Sequence, residues 1–302
     1  MRLGVLINPT AGHGRGAERG LEVLGALSAR GHEVVDLTAD SADAALRAAR
    51  QAVVDGLDAL VSVGGDGMVH LGANVVAGTD LPLGIVAAGS GNDIARAAGL
   101  PRHDVAASVR GIERGLSTGG RAVDAVRVGP PDYLTHEWYL GVLSCGIDAA
   151  VNERANQLTW PRGTGRYVRA LTTVLRSFHP YGYRVTIDGQ VWESPGTLVA
   201  IANGTSIGGG MRIAPDARMD DGLLDVVLAG PLSRAGVARI FPRVYPGRHV
   251  SHPACTVVRG REVLVEPSHV GPAAPPAFAD GERLGPLPMR AEVAPGAVRL
   301  LV

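Results

Sequence analysis

Short apolar runs alternate with longer segments of mixed polarity through the first 125 residues. The short runs predict β-strands and the longer segments predict helices, an order typical of α/β domains. The predicted strands cover residues 3–7, 33–37, 59–63, 83–86 and 122–128. The predicted helices cover residues 16–30, a segment from the capping Ser41 to residue 54, and 69–76, with two more before residue 122. Glycine-rich turns follow several strands, at the edge where open α/β sheets bind ligands.

The second half of the chain has a different pattern, in which apolar runs follow one another with few helical segments between them. The predicted strands cover residues 137–145, 183–188, 197–202, 224–228, 254–258 and 262–265. Helical patterns remain at residues 167–177 and 233–245. Strands without regular crossover helices predict a mainly antiparallel domain. A last apolar segment, 296–302, could return to the first domain as a short strand.

Composition and charge exclude several classes of protein. Hydrophobic residues make up 46% of the chain, which excludes a disordered protein, and 42 glycines with only 4% aromatic residues favour an α/β protein with many tight turns. The 29 basic and 29 acidic residues cancel. Because the chain has no basic field and no polybasic run, we expect no nucleic-acid partner and no electrostatic attachment to anionic lipid.

Cysteine content and the N-terminal sequence predict a cytoplasmic protein. Cys145 and Cys255 are far apart in sequence, which argues against a disulfide framework or a zinc site and suits a reducing cytosol. The apolar run at the N-terminus is too short for a signal peptide, and no run of about 18 apolar residues predicts a membrane span. If the substrate is a lipid, the protein has to visit the membrane surface.

The chain contains no lysine, so all 29 of its basic residues are arginine. This absence excludes a Walker A loop and a protein-kinase strand lysine, and it excludes Schiff-base chemistry. Any phosphate site must therefore use backbone N–H groups, arginine or a metal ion.

Two glycine turns at predicted strand ends are candidate phosphate sites. Gly64-Gly65-Asp66-Gly67 combines close backbone approach with a carboxylate that could hold Mg²⁺. Gly89-Ser90-Gly91-Asn92-Asp93 repeats this arrangement one strand later, although Asn92 or Asp93 could simply cap a helix. A third turn, residues 8–16, is glycine-rich and opens a helix, which also suits anion binding, but alone it is an ordinary βα turn.

Two acidic positions need a separate explanation. Asp124 lies within an apolar strand, where a carboxylate is costly unless it is hydrogen-bonded or functional. Asp280-Gly281-Glu282 reads as an exposed hairpin turn that carries no signal by itself.

Taken together, these motifs resemble the diacylglycerol kinase catalytic family, in particular its soluble bacterial lipid kinases. The matching positions keep the family's order over nearly the whole chain. They are Asn8-Pro9 with Gly12, Gly64-Gly65-Asp66-Gly67, residues 82–84 and 89–96, Gly146-Ile147-Asp148-Ala149, Asn203 with Gly208-Gly209-Gly210, residues 214–217 and 220–222, and Asp280-Gly281-Glu282.

The resemblance implies an architecture of two domains with the active site in the cleft between them. Residues 1–124 would form a three-layer α/β nucleotide domain like that of NAD kinases, to which residues 293–302 return. Residues 125–292 would form a mainly antiparallel β-sandwich domain that takes the lipid substrate.

The resemblance also implies residue roles, with helix capping or packing as the alternative for each. The positions that contact ATP would be Asn8, Pro9, Thr10, Ala11, Gly12, Thr38, Gly64, Gly65, Asp66, Gly67 and Ser90. Asp66, Asp93 and Asp124 would organise the catalytic Mg²⁺, and Glu282 would be the general base. A second, structural Mg²⁺ would be held by Asp221 and by the backbone carbonyls of Arg218 and Leu223.

Two residues depart from the family pattern. Met68 stands where the family usually has threonine, so a hydroxyl that could touch phosphate is lost. His70 stands where the family tends to have glutamate, whereas Asn74 fits. We interpret His70 as a substituted structural position.

The favoured function is transfer of the γ-phosphate of ATP to a lipid hydroxyl, with diacylglycerol as the leading acceptor and phosphatidic acid as its product. The alternatives are a sphingoid base or another amphiphilic alcohol, and a non-catalytic nucleotide-binding module. NAD kinase shares the Gly-Gly-Asp-Gly turn, but residues 89–96 fit the lipid kinases better. An exposed edge strand in the second domain could also pair two chains as a homodimer.

Overall fold

The computed structural model describes residues 1–158, 160 and 164–302, without the side chains of residues 13, 164, 166 and 167. The helices are α1 (Ala11–Gly14), α2 (Gly16–Ser28), α3 (Ala42–Val54), α4 (Asp66–Val76), α5 (Asp93–Ala97), α6 (Val105–Thr118), α7 (Ile147–Gln157), α8 (Thr164–Ser177) and α9 (Arg234–Val244), with a 3-10 turn at Arg248–Ser251. The strands are β1 (Arg2–Ile7), β2 (Glu33–Asp36), β3 (Ala59–Gly64), β4 (Leu83–Ala87), β5 (Arg121–Gly129), β6 (Glu137–Tyr139), β7 (Val142–Gly146), β8 (Tyr181–Ile187), β9 (Gln190–Gly196), β10 (Leu198–Ala202), β11 (Leu224–Ala229), β12 (Cys255–Gly260), β13 (Glu262–Pro267), β14 (Ala277–Ala279), β15 (Glu282–Gly285) and β16 (Met289–Leu301).

The N-terminal part has three layers. Strands β2, β1, β3 and β4 pair in parallel in that order. Helices α2 and α6 cover one face of this sheet, where Val23 and Ile112 are buried. Helices α3 and α4 cover the other face with Ala49 and Val76. Ser41 caps α3 as predicted, since its hydroxyl accepts a hydrogen bond from the N–H of Ala44 at 3.2 Å.

The C-terminal part is a sandwich of antiparallel strands. One layer is a six-stranded sheet in the order β12-β11-β10-β7-β14-β15. The other layer consists of β5, β6, β13, β8 and β9 together with the first half of β16. Buried side chains such as Tyr139, Tyr183 and Ile201 fill the space between the layers. An α/β domain followed by a mainly antiparallel domain confirms the predicted fold class.

Strand β16 joins both parts. Its first half pairs antiparallel with β13, while Leu300 and Leu301 pair in parallel with Leu83 and Gly84 of β4. Along its other side it pairs with β5, with an irregularity between Ala294 and Val298. The predicted strand at 296–302 is therefore the end of a much longer strand that makes one ten-stranded sheet continuous.

Several elements differ from the prediction, and strands β14 and β15 and the short helix α1 were not predicted. The predicted strand over residues 137–145 is two strands, β6 and β7, which belong to different sheets. The chain changes sheet there because Leu140 and Gly141 donate their N–H groups to the Asp280 carboxylate instead of to a neighbouring strand. Strand β9 was not predicted, because its sequence is polar and contains Pro195, which an outer strand tolerates. Helix α7 was also missed.

Among the described residues, no helix combines the length and the apolar content that crossing a membrane requires.

Candidate functional site

Three glycine-rich loops lie at one edge of the parallel sheet. Loop 1 (residues 8–16) follows β1, loop 2 (residues 64–67) ends β3 and opens α4, and loop 3 (residues 89–93) follows β4. The carboxyl ends of parallel strands meet at the same edge, which is where open α/β sheets bind ligands. Thr38 follows β2 at this edge, where it is exposed and its N–H and hydroxyl both donate to Asp36 Oδ1.

Loops 2 and 3 are in backbone contact. The carbonyl of Gly64 accepts hydrogen bonds from the N–H groups of Ala88 at 2.8 Å and Gly89 at 3.1 Å. A Cβ on Gly89 would clash with the Cα of Gly65. The two loops can approach this closely only because both positions are glycine.

Asn92 sets the shape of loop 3. It has a left-handed backbone with φ of 55°, and its amide both accepts from the N–H and donates to the carbonyl of Gly89, each at 2.9 Å. Asn92 therefore braces the loop and leaves Ser90 exposed. Neither Asn92 nor Asp93 caps helix α5, contrary to the simpler reading of the sequence. Asp66 of loop 2 performs this role instead, because its Oδ1 accepts the N–H of Ile94 at 3.0 Å.

Loop 1 packs beside loops 2 and 3. Asn8 Oδ1 accepts from both the N–H and the hydroxyl of Thr10, at 3.0 and 2.8 Å, which fixes the turn. Gly12 has φ of 58°, and a Cβ there would lie 2.5 Å from the carbonyl oxygen of Ala88. Arg19 donates to the same oxygen at 3.1 Å. The predicted nucleotide-contacting residues of the three loops are thus brought together.

Two carboxylates converge beside loop 3. A Cβ on Gly91 would lie 2.9 Å from Asp66 Oδ2 and 3.5 Å from Asp93 Oδ2. Burial, followed by the negative charges of Asp93 and Asp280, raises the pKa of Asp66 to about 6, although hydrogen bonds from backbone N–H groups act against this. Burial also raises the pKa of Asp93. Crowded acidic groups of this kind are typical of cation sites.

Asp93 also connects the two parts of the chain. It forms an ion pair with Arg96, and its Oδ2 accepts the N–H of Gly209 at 2.6 Å. Gly208, Gly209 and Gly210 all have positive φ, which brings this C-terminal loop against loop 3. The family motif included these glycines, but the sequence predicted no contact for them and none for Arg96. Hydrophobic patterns carry no signal for a long-range contact such as that between Asp93 and Gly209.

Glu282 lies against loop 2 although it is 215 positions later than Gly67. A Cβ on Gly67 would clash with Glu282 Oε1. The turn that carries Glu282 has φ of 51° at Asp280 and 89° at Gly281, a pair of left-handed residues typical of a tight hairpin. Glu282 is exposed, so its carboxylate faces the space at the N-terminus of α4.

Asp280 anchors this turn from inside. Its side chain is only 1% exposed, and its two oxygens accept the N–H groups of Leu140 at 3.0 Å and Gly141 at 2.9 Å. The sequence predicted an exposed hairpin turn here, and that is wrong for Asp280. The sequence does indicate the turn, because Asp and Gly at its two central positions permit left-handed backbone. The burial of Asp280 depends on the distant connection between strands β6 and β7.

Asp124 is held by backbone groups. Its Oδ2 accepts the N–H of Gly222 at 2.7 Å and its Oδ1 accepts the N–H of Gly296 at 2.8 Å. The side chain is buried, and Asn203 donates to the Asp124 carbonyl at 2.9 Å. These contacts support the reading of Asp124 as a hydrogen-bonded carboxylate that fixes loop 219–222 and the irregularity in β16.

In the predicted second metal site, the carboxylate of Asp221 is already paired with an arginine. Asp221 Oδ1 accepts the N–H of Leu223 at 3.1 Å, and Asp221 Oδ2 forms an ion pair with Arg259. Arg218 donates to Asp220 Oδ1 at 3.2 Å. Because Arg259 already neutralises Asp221, a metal ion would have to displace it. The metal site made of Arg218, Asp221 and Leu223 therefore stays a prediction.

Comparison with known proteins identifies the family. The diacylglycerol kinase catalytic domain matches residues 2–128, and the YegS C-terminal NAD kinase beta sandwich-like domain matches residues 141–302. A diacylglycerol kinase from Mycobacterium tuberculosis (strain ATCC 25618 / H37Rv) is 35% identical over 297 residues, which is 98% of this chain and 93% of that protein. The chain belongs to the diacylglycerol kinase family.

Other members of the diacylglycerol kinase family support the match. A diacylglycerol kinase from Bacillus subtilis (strain 168) is 24% identical over 270 residues, covering 88% of this chain and 86% of its own. The crystal structure of a diacylglycerol kinase from Bacillus anthracis str. Sterne superposes with a TM-score of 0.74 over 99% of this chain and 96% of its own, at 21% identity, and shows the same fold. This kinase family was the one predicted from the motifs, and NAD kinase is the weaker alternative.

Proposed function

We propose that the chain transfers the γ-phosphate of ATP to the hydroxyl of diacylglycerol and so produces phosphatidic acid. The observation that carries this proposal is the contact between Glu282 and Gly67, which brings a candidate base to the loop that would hold the phosphates. The names of the Mycobacterium tuberculosis and Bacillus subtilis relatives support diacylglycerol as the acceptor.

Backbone N–H groups would hold the triphosphate. Helix α4 begins at Asp66 within loop 2 and helix α2 begins at Gly16 at the end of loop 1, so both loops lead into helix N-termini, which favour anions. Glycines at positions 12, 64, 65 and 67 allow the loops to pack closely around this edge of the sheet, because a Cβ there would meet Ala88, Met68, Gly89 and Glu282 in turn. This arrangement supports phosphate binding without lysine, as the composition requires. Asn8, Pro9, Thr10, Ala11, Thr38 and Ser90 would contact the rest of the nucleotide.

The acidic residues fit Mg²⁺ bound together with ATP. Within the described residues, no three His, Cys, Asp or Glu side chains form a metal cage. Mg²⁺ does not need one, because it is commonly held by one or two carboxylates with phosphate oxygens and water. Asp66 Oδ2 is a hard oxygen donor, and a cation there would relieve its repulsion with the neighbouring Asp93, whose own oxygens already accept from Arg96 and Gly209. When bound, the ion would neutralise charge on the transferred phosphoryl group.

Glu282 would act as the general base. A carboxylate at the N-terminus of α4 can accept the proton of a primary alcohol that approaches the γ-phosphate. The anchored Asp280 fixes the turn, so Glu282 starts from a defined position without being buried itself. Phosphoryl transfer needs little more than this positioning and charge neutralisation. Asp124 would support the site through the backbone that it holds.

The proposal is tested with purified protein, labelled ATP and Mg²⁺ against mixed micelles of a lipid panel. We expect phosphatidic acid from diacylglycerol at a higher kcat/KM than product from sphingosine or from a long-chain alcohol. Higher turnover of sphingosine would transfer the proposal to that acceptor. ATP binding without any phosphorylated lipid would favour a nucleotide-binding module instead.

We further propose that the enzyme is cytoplasmic and works at the inner face of the membrane, because its acceptor is a bilayer lipid. Homodimer formation also stays a proposal. Strand β9 lies at the outer end of the ten-stranded sheet and exposes 54% of Val191, so it is the candidate pairing edge. Light scattering of wild type and Val191→Arg would test it, with a fall from dimer to monomer mass expected in the variant.

Gly89→Ala should weaken ATP binding. The new methyl group would clash with the backbone of Gly65, so loops 2 and 3 would separate. The backbone N–H groups of the two loops could then no longer bind the same nucleotide. We expect at least a tenfold rise in the Kd for ATP by calorimetry, together with a stability loss of about 1–3 kcal/mol.

Gly25→Ala is the matched control. A Cβ at Gly25 meets no atom within 4 Å, and the position lies within helix α2. This variant should bind ATP normally and unfold at the same or a slightly higher temperature, because alanine favours helix. Equal ATP affinity in Gly89→Ala would contradict the proposed contact between the loops.

A further inference from the structure

The hairpin that carries Glu282 contacts helix α4 at two points. At the first, Glu282 lies against Gly67. At the second, His70 Nδ1 lies 3.4 Å from Asp280 Oδ2. Positions 67 and 70 are three residues apart on α4 and so lie on the same face of the helix. This face of α4 is the surface against which the hairpin rests.

His70 lies between two carboxylates from different strands. Its Nε2 is 3.2 Å from Glu137 Oε2 on β6, and the residue is 6% exposed. With an acceptor at each ring nitrogen, the imidazolium donates two hydrogen bonds. Burial lowers the pKa of His70, but the hydrogen bonds and charges of Asp280 and Glu137 outweigh it and raise the pKa to about 9. His70 is therefore a cation at neutral pH.

The cation matters because Asp280 is a buried negative charge. Its carboxylate already accepts two backbone N–H groups, and its charge contributes to the raised pKa of Asp66. A buried carboxylate that loses its cationic partner is destabilised, and the turn that carries it would shift toward solvent. Glu282 is two residues from Asp280 and would move with it.

Building on the proposed function, we infer that His70 is a positioning residue, a buried cation that ties α4 to Asp280 and thereby holds Glu282 beside loop 2. It takes no part in proton transfer itself. This role replaces our interpretation of His70 as a substituted structural position.

His70→Gln tests the inference, since glutamine keeps a donor but loses the charge. In the micelle assay with diacylglycerol we expect kcat to fall about 10–100-fold, as misplacement of a catalytic group does, while the KM for ATP stays within about threefold. In a Glu282→Gln background the same substitution should cause no further loss, because residues that act as a unit are not additive.

Asn74→Ala is the control for a merely structural role. Asn74 also joins α4 to β6, through hydrogen bonds of 2.8 Å with the N–H and carbonyl of Trp138, but none of its hydrogen bonds is to Asp280. Its loss should lower the melting temperature and leave kcat within about threefold of wild type, because Asn74 makes no hydrogen bond with the Glu282 turn.

The pH profile is an independent readout. Asp280 and Glu137 are the charged groups that face the ring, and both favour its protonation. Wild-type kcat should therefore fall as pH rises through about 9. Glu137→Gln removes one of these charges, so this limb should move to lower pH. This shift decides the question even if His70→Gln does not fold.

The outcomes separate the two proposals. Normal kcat in folded His70→Gln, or an unchanged basic limb in Glu137→Gln, overturns the role of His70 alone. Absence of lipid turnover in wild type overturns the proposed function and the role of His70 with it.

Discussion

Glu282→Gln should lower kcat for diacylglycerol by about 10²–10⁴-fold, the range expected when a general base is removed. Glutamine keeps the size and the hydrogen-bonding ability of the side chain, so the contact with Gly67 is preserved and the acceptor proton loses its destination. ATP affinity, measured by calorimetry with Mg²⁺, should stay within about threefold of wild type, because Glu282 is not among the proposed phosphate ligands.

Glu153→Gln supplies the control for this variant. Glu153 on α7 lies 3.6 Å from Arg283, which follows Glu282 in the same hairpin. The substitution therefore removes an acidic group near the turn without changing loop 2. Its kcat should match that of wild type. Equal turnover of wild type and Glu282→Gln across the lipid panel would reject Glu282 as the base and would require another proton acceptor.

Asp66→Asn should abolish transfer and stabilise the protein at the same time. The folded-state pKa of about 6 lies above the ordinary 3.8, so between these values the folded protein binds the proton more tightly than the unfolded chain. Stability therefore falls as pH rises through this window, and the ionised carboxylate is a cost at neutral pH. Removing the charge should increase the free energy of unfolding by about 1–3 kcal/mol at pH 7.5 without Mg²⁺.

The same shift predicts the acid limb of wild-type activity. Protonation of metal-free Asp66 below about pH 6 would remove the charge that attracts Mg²⁺, so kcat/KM for Mg–ATP should fall as pH drops through that value. Thermal unfolding and the micelle assay measure the two effects. Asp80→Asn, at an exposed position, should change neither. A less stable and inactive Asp66→Asn protein would indicate that the residue is needed for folding and not for the metal.

The residues at the carboxyl edge of the parallel sheet were predictable because they are local. Each glycine turn directly follows an apolar strand, and parallel strands bring their ends to one edge. The sequence alone therefore predicts that the loops at residues 64–67 and 89–93 lie together. The contacts within this edge, such as the cap that Asp66 provides for α5, depend on packing that the pattern does not record.

The other wall of the site was not predictable from pattern. Glu282 was found only through resemblance, and the burial of Asp280 follows from a change of sheet at Leu140 and Gly141. Most residues from 137 to 145 are apolar and no polar turn separates the two halves of this segment, so the pattern predicted a single strand. Asp280, His70 and Asp93 are polar side chains with partners far away in sequence, and such pairs leave no periodic signal.

The continuity of β16 has a consequence for synthesis of the protein. When a ribosome has made the first four parallel strands, the outer edge of β4 lacks its partner strand, because Leu300 lies 213 positions after Ala87 at the end of β4. An unpaired strand edge is prone to associate with other chains. The parallel sheet therefore waits for a distant segment of the chain before it can close, and we expect slow or chaperone-dependent production to be a property of this topology.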